Sequence, residues 1–183
     1  MPQKKSSWLW KIKRNIEASR ISKVKKEIKN SLETKTGLNQ STIDSFLIGC
    51  PDYIGTFGQD QINHIKLSQF PISFIVNTDN SFGIGEHWIF IHISKSYVEI
   101  YCPLGFNIFN FKIIPCNLLT FLNKHSRFKK IRIFRRVQSD SSILCGYFCI
   151  LFAVLRSRLS YSFLHSTFCS VVKSRKLLLK FFR

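Results

Sequence analysis

Acidic residues are scarce in this chain of 183 residues, which has 10 Asp and Glu residues against 28 Lys and Arg residues. The net charge of +18 implies attraction to polyanions, and nucleic acid and anionic membrane surfaces are the two candidates. Glycine and proline are also few, at 8 and 5 residues, and the chain contains no internal repeat or low-complexity tract. Because 45% of the residues are hydrophobic, the sequence predicts one folded domain with a core and excludes a disordered chain.

A hydrophobic run of membrane-spanning length is absent from the sequence. The longest apolar stretch, Ile143 to Leu155, has about 13 residues and ends at Arg156, whereas a spanning helix needs about 20 residues. This stretch therefore predicts a buried core helix. A segment resembling a secretory signal is also absent, because Lys4-Lys5 precedes only a short apolar patch.

The sequence also lacks cysteine pairs at a spacing typical of zinc sites. No CxxC pair occurs, and Cys145 and Cys149 lack two further ligands at a spacing typical of zinc. Without a secretory signal, we expect reduced thiols in a cytosolic or nuclear setting. The six cysteines are Cys50, Cys102, Cys116, Cys145, Cys149 and Cys169. The sequence thus predicts neither a disulfide framework nor a metal centre.

The first part of the chain is basic and predicts helix. From Ser7 to about Lys35, apolar residues recur mostly at intervals of three to five residues among many Lys and Arg residues, which is typical of one or two helices with a narrow apolar stripe. Gly37 fits a helix end, and Ser41 or Thr42 can cap a short helix toward Ile48. We therefore predict a basic helical N-terminal extension over residues 1–45 and a folded domain with a basic C-terminal tail over residues 46–183.

The middle of the chain has the pattern of a strand meander. Ile72 to Val76, His87 to Ile93 and Tyr97 to Cys102 are short β-branched and aromatic runs separated by turn residues. A basic strand from Lys129 to Val137 should come later in the chain.

Helices are predicted around and after these strands. Pro115 to Lys124 has a proline suited to a first helical turn, and further helices are predicted over Cys145 to Ser157 and Ser160 to Phe168. A basic, apolar tail from Lys173 to Arg183 ends the chain. Strands between helical ends indicate an α+β fold.

Two segments combine a histidine, a glutamine and a cysteine at the ends of predicted elements. His87 opens an apolar strand run, and Gln138 precedes Cys145, which begins the predicted core helix. An imidazole and a helix N-terminus both activate a thiol, and Gly146 leaves room for a substrate. Trp88 should lie on the opposite face and anchor the strand in the core. The pattern predicts a cysteine hydrolase, although Cys145 could also be a small buried hydrophobe at a helix start.

Three segments together resemble the adenovirus-type cysteine proteases (adenain). These are IVNTDNSFGIGEHWIFIHI, YVEIYCPLGF and VQSDSSILCGYFCILF, and FLIGCPDYIGTFGQD resembles the segment that precedes the sheet in that family. They are also similar to proteases of Polinton or adintovirus-type elements and, more distantly, to the ubiquitin-like-protein-processing proteases. The resemblance covers roughly Phe46 to Leu155 and implies a mixed central sheet flanked by helices.

The resemblance implies a role for each residue of the pattern. The histidine before tryptophan, here His87, is the general base, and the cysteine before glycine, here Cys145, is the nucleophile. Gln138, seven positions before the cysteine, would form the oxyanion hole with the backbone N–H of Cys145, where a single donor is typically worth about 3 kcal/mol. The sequence departs from the family at the acidic third member, because Cys102 occupies that position and a neutral thiol orients an imidazole poorly.

Two other carboxylates come near this position in the sequence. Glu99 has the opposite parity to Cys102 on the predicted strand and should face away, and Asp140 is close to Cys145 but has no counterpart in the family. Three possibilities remain open: a Cys145/His87 dyad with a reduced rate, a substituted orienting group, or a decayed copy without activity.

Clusters of basic residues suggest a nucleic-acid partner. The family is known for working in the virion with DNA as a cofactor or track, so the resemblance implies non-specific DNA binding, and no small-molecule cofactor is expected. Binding would weaken steeply with salt. The candidate contacts are Lys11, Lys13, Arg14, Lys23, Lys25, Lys26, Lys129, Lys130, Arg132, Arg135 and Arg136.

The leading interpretation is a monomeric cysteine endopeptidase that cleaves viral or mobile-element structural precursors at sites with small residues. It implies location in the virion and in the host nucleus or cytoplasm, without secretion. A deconjugating peptidase for ubiquitin-like modifiers is a second enzymatic interpretation. A catalytically dead, basic scaffold that binds nucleic acid is the alternative from another class.

Overall fold

The computed structural model describes residues 36–105, 114–127, 129–168 and 170–182. These ranges contain one short 3-10 helix at Ile62–His64, five strands and five α-helices. The strands are β1 Tyr53–Phe57, β2 Ile72–Asn77, β3 Trp88–Ile93, β4 Tyr97–Tyr101 and β5 Lys130–Ile133. The α-helices are α1 Gln40–Leu47, α2 Cys116–Ser126, α3 Cys145–Arg156, α4 Tyr161–Thr167 and α5 Val171–Phe182. The basic helix predicted between Ser7 and Lys35 lies outside the described residues.

The five strands form one sheet in the order β1-β2-β3-β4-β5. The three central strands are antiparallel, as predicted for a meander, while β1 and β5 run parallel to their neighbours at the two edges. A parallel pair needs a crossover connection rather than a tight hairpin, and α2 lies between β4 and β5 in the chain. The predicted α+β fold with a mixed central sheet flanked by helices is therefore confirmed.

Alternating side chains of β3 contribute to two apolar clusters, one on each face of the sheet. Trp88 and Phe90 belong to the cluster that contains α3, whereas Ile89 and Ile91 belong to the cluster that contains residues of α2. Every residue of α3 from Cys145 to Leu155 is buried, which explains why this stretch is apolar all round. No helix in the described ranges is long and apolar enough to cross a membrane.

The structure changes two of the predicted boundaries and adds one strand. Asn39 is the N-cap of α1, because its side chain accepts a hydrogen bond of 2.8 Å from the backbone N–H of Thr42. Ser41 is therefore inside the helix. Strand β1 was not predicted, since its sequence YIGTF is short and contains a glycine. The predicted strand from Lys129 to Val137 forms a ladder only over Lys130–Ile133.

Both ends of the described chain belong to the packed domain. The predicted C-terminal tail is helix α5, in which Leu178 and Phe181 are buried and which contacts α3. At the other end, Leu38 and Ile43 are part of the core. The domain boundary predicted at residue 45 thus lies within α1.

Candidate active site

Cys145 is the first residue of α3 and lies where this helix packs against the start of β3. The side chain of Cys149, one turn later, donates to the backbone carbonyl of Trp88 at 3.3 Å. The indole of Trp88 donates in turn to the carbonyl of Leu38 at 2.9 Å. These contacts attach the N-terminal turn of α3 to the strand that follows His87, and Trp88 is the core anchor that the sequence predicted.

Gln138 is held beside the beginning of α3 by a tight turn. Its backbone N–H donates to the carbonyl of Pro103 at 2.9 Å, which attaches the segment after β5 to the turn after β4. The side-chain Nε2 of Gln138 donates to the carbonyl of Ser142 at 2.5 Å. Gln138 is 2% exposed, and its Oε1 is a buried atom without a hydrogen-bond partner in the described structure. An unpaired buried polar atom costs stability and is therefore unusual outside functional sites.

His87 directly precedes β3, and Cys102 directly follows β4. Because these strands are antiparallel, with Phe90 opposite Tyr101, the two residues come to the same end of the sheet. The Nε2 atom of His87 lies 3.4 Å from the Sγ atom of Cys102. Cys102 therefore lies within hydrogen-bonding distance of the imidazole, and its assignment to the position of the family's acidic residue stays a prediction.

The loop before His87 is held by two polar residues that the sequence analysis did not single out. The Oδ1 atom of Asn77 accepts from the backbone N–H groups of Asp79 and Glu86, at 2.9 and 3.0 Å. The carboxylate of Asp79 accepts from the backbone N–H of Gly85 at 3.1 Å. Asn and Asp side chains commonly bond nearby backbone groups in turns, so the dense Asn, Asp and Gly content of this segment was an available signal.

Burial opposes charge on both members of the candidate pair. The pKa of His87 is lowered to about 4 by burial. The pKa of the Cys145 thiol is raised by burial, an effect only partly offset by the backbone N–H groups of Trp88, Gly146 and Cys145 itself. The backbone N–H groups at the helix N-terminus therefore act in the expected direction, but burial has the larger effect and the pKa of the thiol is raised. Activation of Cys145 by His87 stays a prediction. Both shifts favour the uncharged form of each side chain.

The carboxylates considered from the sequence do not contact His87. Glu99 is fully buried and forms ion pairs with Arg132 at 3.1 Å and with Arg156 at 2.5 Å. Its side chain belongs to the face opposite Cys102, as parity predicted. Asp140 is exposed and paired with Arg136 at 2.8 Å. Among the described residues, Cys102 is thus the hydrogen-bond partner of the imidazole, and no carboxylate takes its place.

Gly146 lies in close contact with the side chains of Leu38 and Trp88. A Cβ atom at this position would lie 3.1 Å from Cβ of Leu38 and 3.2 Å from Cδ1 of Trp88. Gly146 is buried on the core side of α3. The absent side chain at Gly146 therefore makes room for Leu38 and Trp88, which both line the cleft. The expectation that it also gives a substrate access stays a prediction.

A cleft of about 530 Å³ joins the candidate residues. His87, Gln138 and Cys145 all line it, together with Leu38, Leu104 and part of the loop before His87. The three residues expected to act together are thus brought to one concave site from two segments that are about 50 residues apart in the chain. In the described ranges, no group of three or more His, Cys, Asp or Glu side chains is placed to hold a metal ion.

The basic residues near β5 make contacts within the protein. Arg132 pairs with Glu99, Arg136 pairs with Asp140, and Arg135 donates to the ring of His165 at 3.3 Å. Lys129 donates to the carbonyl of Ser94 at 2.7 Å, whereas Lys130 is exposed. DNA binding by this cluster stays a prediction. The remaining candidates, Lys11, Lys13, Arg14, Lys23, Lys25 and Lys26, lie outside the described residues.

Comparison of the sequence with protein-family models and with curated proteins finds no match. The fold, in contrast, is similar to solved structures. The ASFV pS273R protease matches with a TM-score of 0.53 and 18% identity over 80% of this chain and 68% of that chain. Two structures of the SUMO protease Ulp1, with the catalytic cysteine oxidized to a sulfinic or a sulfenic acid, have TM-scores of 0.43 and 0.44. Their identities are 14% and 12%, and each match covers 100% of this chain and 98% of that chain. The described chain therefore shares the fold of the ASFV pS273R cysteine protease, and the mixed-sheet α+β architecture that the sequence resemblance implied is confirmed.

Proposed function

We propose that this protein is a cysteine endopeptidase in which Cys145 is the nucleophile, His87 is the general base and Gln138 contributes to the oxyanion hole. The observation that carries the proposal is that these three side chains line one cleft, with Cys145 at the N-terminus of a helix. The side-chain amide of Gln138 supports it, because Nε2 carries two N–H groups and one of them donates to the carbonyl of Ser142, which leaves the second for an oxyanion.

The proposed reaction begins when Nδ1 of His87 takes the thiol proton of Cys145 as the sulfur attacks a peptide carbonyl. Nε2 faces Cys102, so Nδ1 is the nitrogen that serves as base. The second N–H of the Gln138 amide and the backbone N–H of Cys145 stabilise the oxyanion. His87 then protonates the leaving amine as the C–N bond breaks. Water, deprotonated by the same ring, hydrolyses the thioester and restores the thiol.

Cys102 limits this reaction because a thiol does not select one imidazole tautomer. Burial raises the pKa of Cys102 to about 12, so its thiol is neutral at physiological pH. A neutral thiol can accept weakly from Nε2–H, which leaves Nδ1 as a base, or donate to Nε2, which places the ring proton on Nδ1. It also cannot neutralise the imidazolium that forms. We therefore propose a working enzyme with a reduced rate.

For the substrate we propose viral or mobile-element structural precursors, cleaved beside small residues, with DNA assistance through the basic regions. This part of the proposal rests on the resemblance of the sequence segments to adenovirus-type proteases. A deconjugating peptidase would use the same three residues, so tagged ubiquitin-like precursors belong in the assay beside precursor peptides.

The experiment compares peptide cleavage by the unaltered full-length chain and by Cys145→Ala, with Cys116→Ala as the matched control because Cys116 is an exposed free thiol outside the cleft. We expect cleavage to be lost in Cys145→Ala and retained in Cys116→Ala. Equal activity in the two variants would assign any cleavage to another group. No cleavage by the unaltered chain under any condition would favour the catalytically decayed scaffold.

A further inference from the structure

A second concavity, of about 650 Å³, lies at the end of the sheet opposite His87. His87 directly precedes β3, and Ser94 directly follows it. Lys129 lines the concavity and donates to the carbonyl of Ser94 at 2.7 Å. In the described ranges, this concavity shares no lining residue with the cleft that contains Cys145. It is therefore a separate candidate for ligand binding.

The basic pocket, as we call this concavity, is lined by three lysines and two histidines. These are Lys66, Lys124, Lys129, His64 and His125. No Asp or Glu is among the described residues that line it. Burial lowers the pKa of His125, and the charges of Lys124 and Lys129 lower it further. The basic pocket is thus a concave region of positive charge, which attracts anions.

One of the three ammonium groups is held in place by two contacts. Besides its hydrogen bond to Ser94, Nζ of Lys129 lies 3.9 Å from the centroid of the Phe70 ring, a cation–π contact. Phe70 and Leu67 are half-buried and line the basic pocket beside the lysines. The basic pocket therefore combines a positioned cation with apolar surface that is still partly accessible.

Interactions within the protein account for part of this charge. Lys124 is in the last turn of α2, where a positive charge is favourable to the helix. His64 interacts electrostatically with the carboxylate of Asp60, which does not itself line the basic pocket. These roles concern single residues. They do not explain why Lys66 and Lys129 line the same pocket as Lys124.

Several ammonium groups around one small pocket match a compact anion with more than one charge. A phosphate monoester carries a charge of about −1.5 to −2 at pH 7 and has three acceptor oxygens, so it can contact more than one lysine at once. A carboxylate carries one charge on two oxygens. A DNA duplex distributes its charges along an axis, which does not match cations that converge on one pocket.

We propose that the basic pocket binds a phosphate monoester attached to an apolar body. Lys66, Lys124 and Lys129 contact the phosphate, and Leu67 and Phe70 contact the apolar body. A free phosphorylated compound and a phospholipid headgroup are two sources of this chemistry. The proposal does not depend on the proposed function, because the basic pocket and the cleft are separate.

The test measures binding of two phosphate monoesters to the full-length chain at physiological salt. Phenyl phosphate, titrated by isothermal calorimetry, represents the free compound. Phosphatidylcholine vesicles that contain phosphatidic acid, followed by co-sedimentation, represent the lipid. The double variant Lys66→Ser/Lys124→Ser should weaken binding of at least one probe by about tenfold or more, because hydrogen bonds between charged groups are lost. The probe whose binding is weakened identifies the source.

Lys173→Ser/Lys176→Ser is the matched control, because it removes the same charge from exposed residues of α5 that do not line the basic pocket. It should bind both probes as the parent does, and both double variants should keep the thermal stability of the parent. The proposal is overturned if neither probe binds or if the two double variants weaken binding equally, which would be a response to net charge alone. It is also overturned if the pocket variant loses affinity only for a DNA duplex measured in parallel.

Discussion

Replacement of Cys102 by aspartate would restore the acidic group that the adenain resemblance expects beside His87. The Sγ atom of Cys102 is 3.4 Å from Nε2 of His87, so a carboxylate that replaces it is within reach of the ring nitrogen. Position 102 is fully buried, and a buried carboxylate needs hydrogen-bond donors. The backbone N–H of Leu104 already faces the Cys102 thiol and lowers its pKa, so it would donate to the new carboxylate as well.

The expected gain in kcat/KM is large because an aspartate at position 102 would do two things that the Cys102 thiol does poorly for His87. It accepts only from Nε2–H, which makes Nδ1 the base, and it stabilises the imidazolium. An opposite charge at this range raises the pKa of an imidazole by about 1–3 units, starting from about 4 for His87. Loss of the orienting carboxylate in a triad costs about four orders of magnitude in rate. We therefore expect Cys102→Asp to raise kcat/KM at pH 7.5 by about 10³-fold to 10⁴-fold.

The assay is cleavage of a fluorogenic peptide by the full-length chain between pH 5 and pH 9. Cys102→Asn is the matched control, because asparagine has the shape of aspartate without its charge. We expect little gain from Cys102→Asn. In Cys102→Asp the rise of activity with pH should lie at higher pH than in the unaltered chain, because the carboxylate raises the pKa of the His87 base. Both variants should be folded by circular dichroism. If Cys102→Asp and Cys102→Asn have equal activity, the electrostatic reasoning is refuted and another group orients His87.

Three further outcomes follow from burial at the site. Because burial raises the pKa of Cys145, its alkylation by iodoacetamide should be slow at pH 6 and become faster toward pH 10, as measured by peptide mass spectrometry. A rate that has already reached its maximum at pH 6 would contradict the raised pKa of Cys145. Gly146→Ala should lower the free energy of unfolding by about 1–3 kcal/mol in urea denaturation, because its Cβ would lie 3.1 Å from Leu38; unchanged stability would show that the core yields there. Burial lowers the pKa values of His87 and His92 to about 4, so the unfolded chain binds more protons below pH 6.5 and stability is lost as the pH falls. Between pH 7 and pH 5 the free energy of unfolding should fall by about 2 kcal/mol for each histidine. His92→Gln should therefore remove about half of this pH dependence, and an unchanged pH dependence would contradict the lowered pKa of His92.

The sequence was sufficient for features that depend on neighbouring residues. The apolar stretch that begins at Cys145 predicted a buried helix, and the turn residues around β3 predicted the meander. Strand parity placed Glu99 away from Cys102, which the ion pairs of Glu99 with Arg132 and Arg156 confirm. The edge strand β1 was missed because it is short and is held by pairing with β2, which is distant in the sequence, so its own residues show little strand periodicity.

The sequence by itself determined the α+β class, the helix that begins at Cys145 and the place of His87 before an inner strand, because periodicity and turn chemistry are local properties. Only the tertiary structure decided that Cys102 is the partner of His87, since antiparallel pairing of β3 and β4 brings them together. It also decided that Gly146 packs against Leu38 and Trp88 and that burial raises the pKa of Cys145. Burial and ion pairing depend on atoms distant in the chain. At Cys145, burial changes the thiol pKa more than the helix N-terminus, which the sequence places beside the thiol.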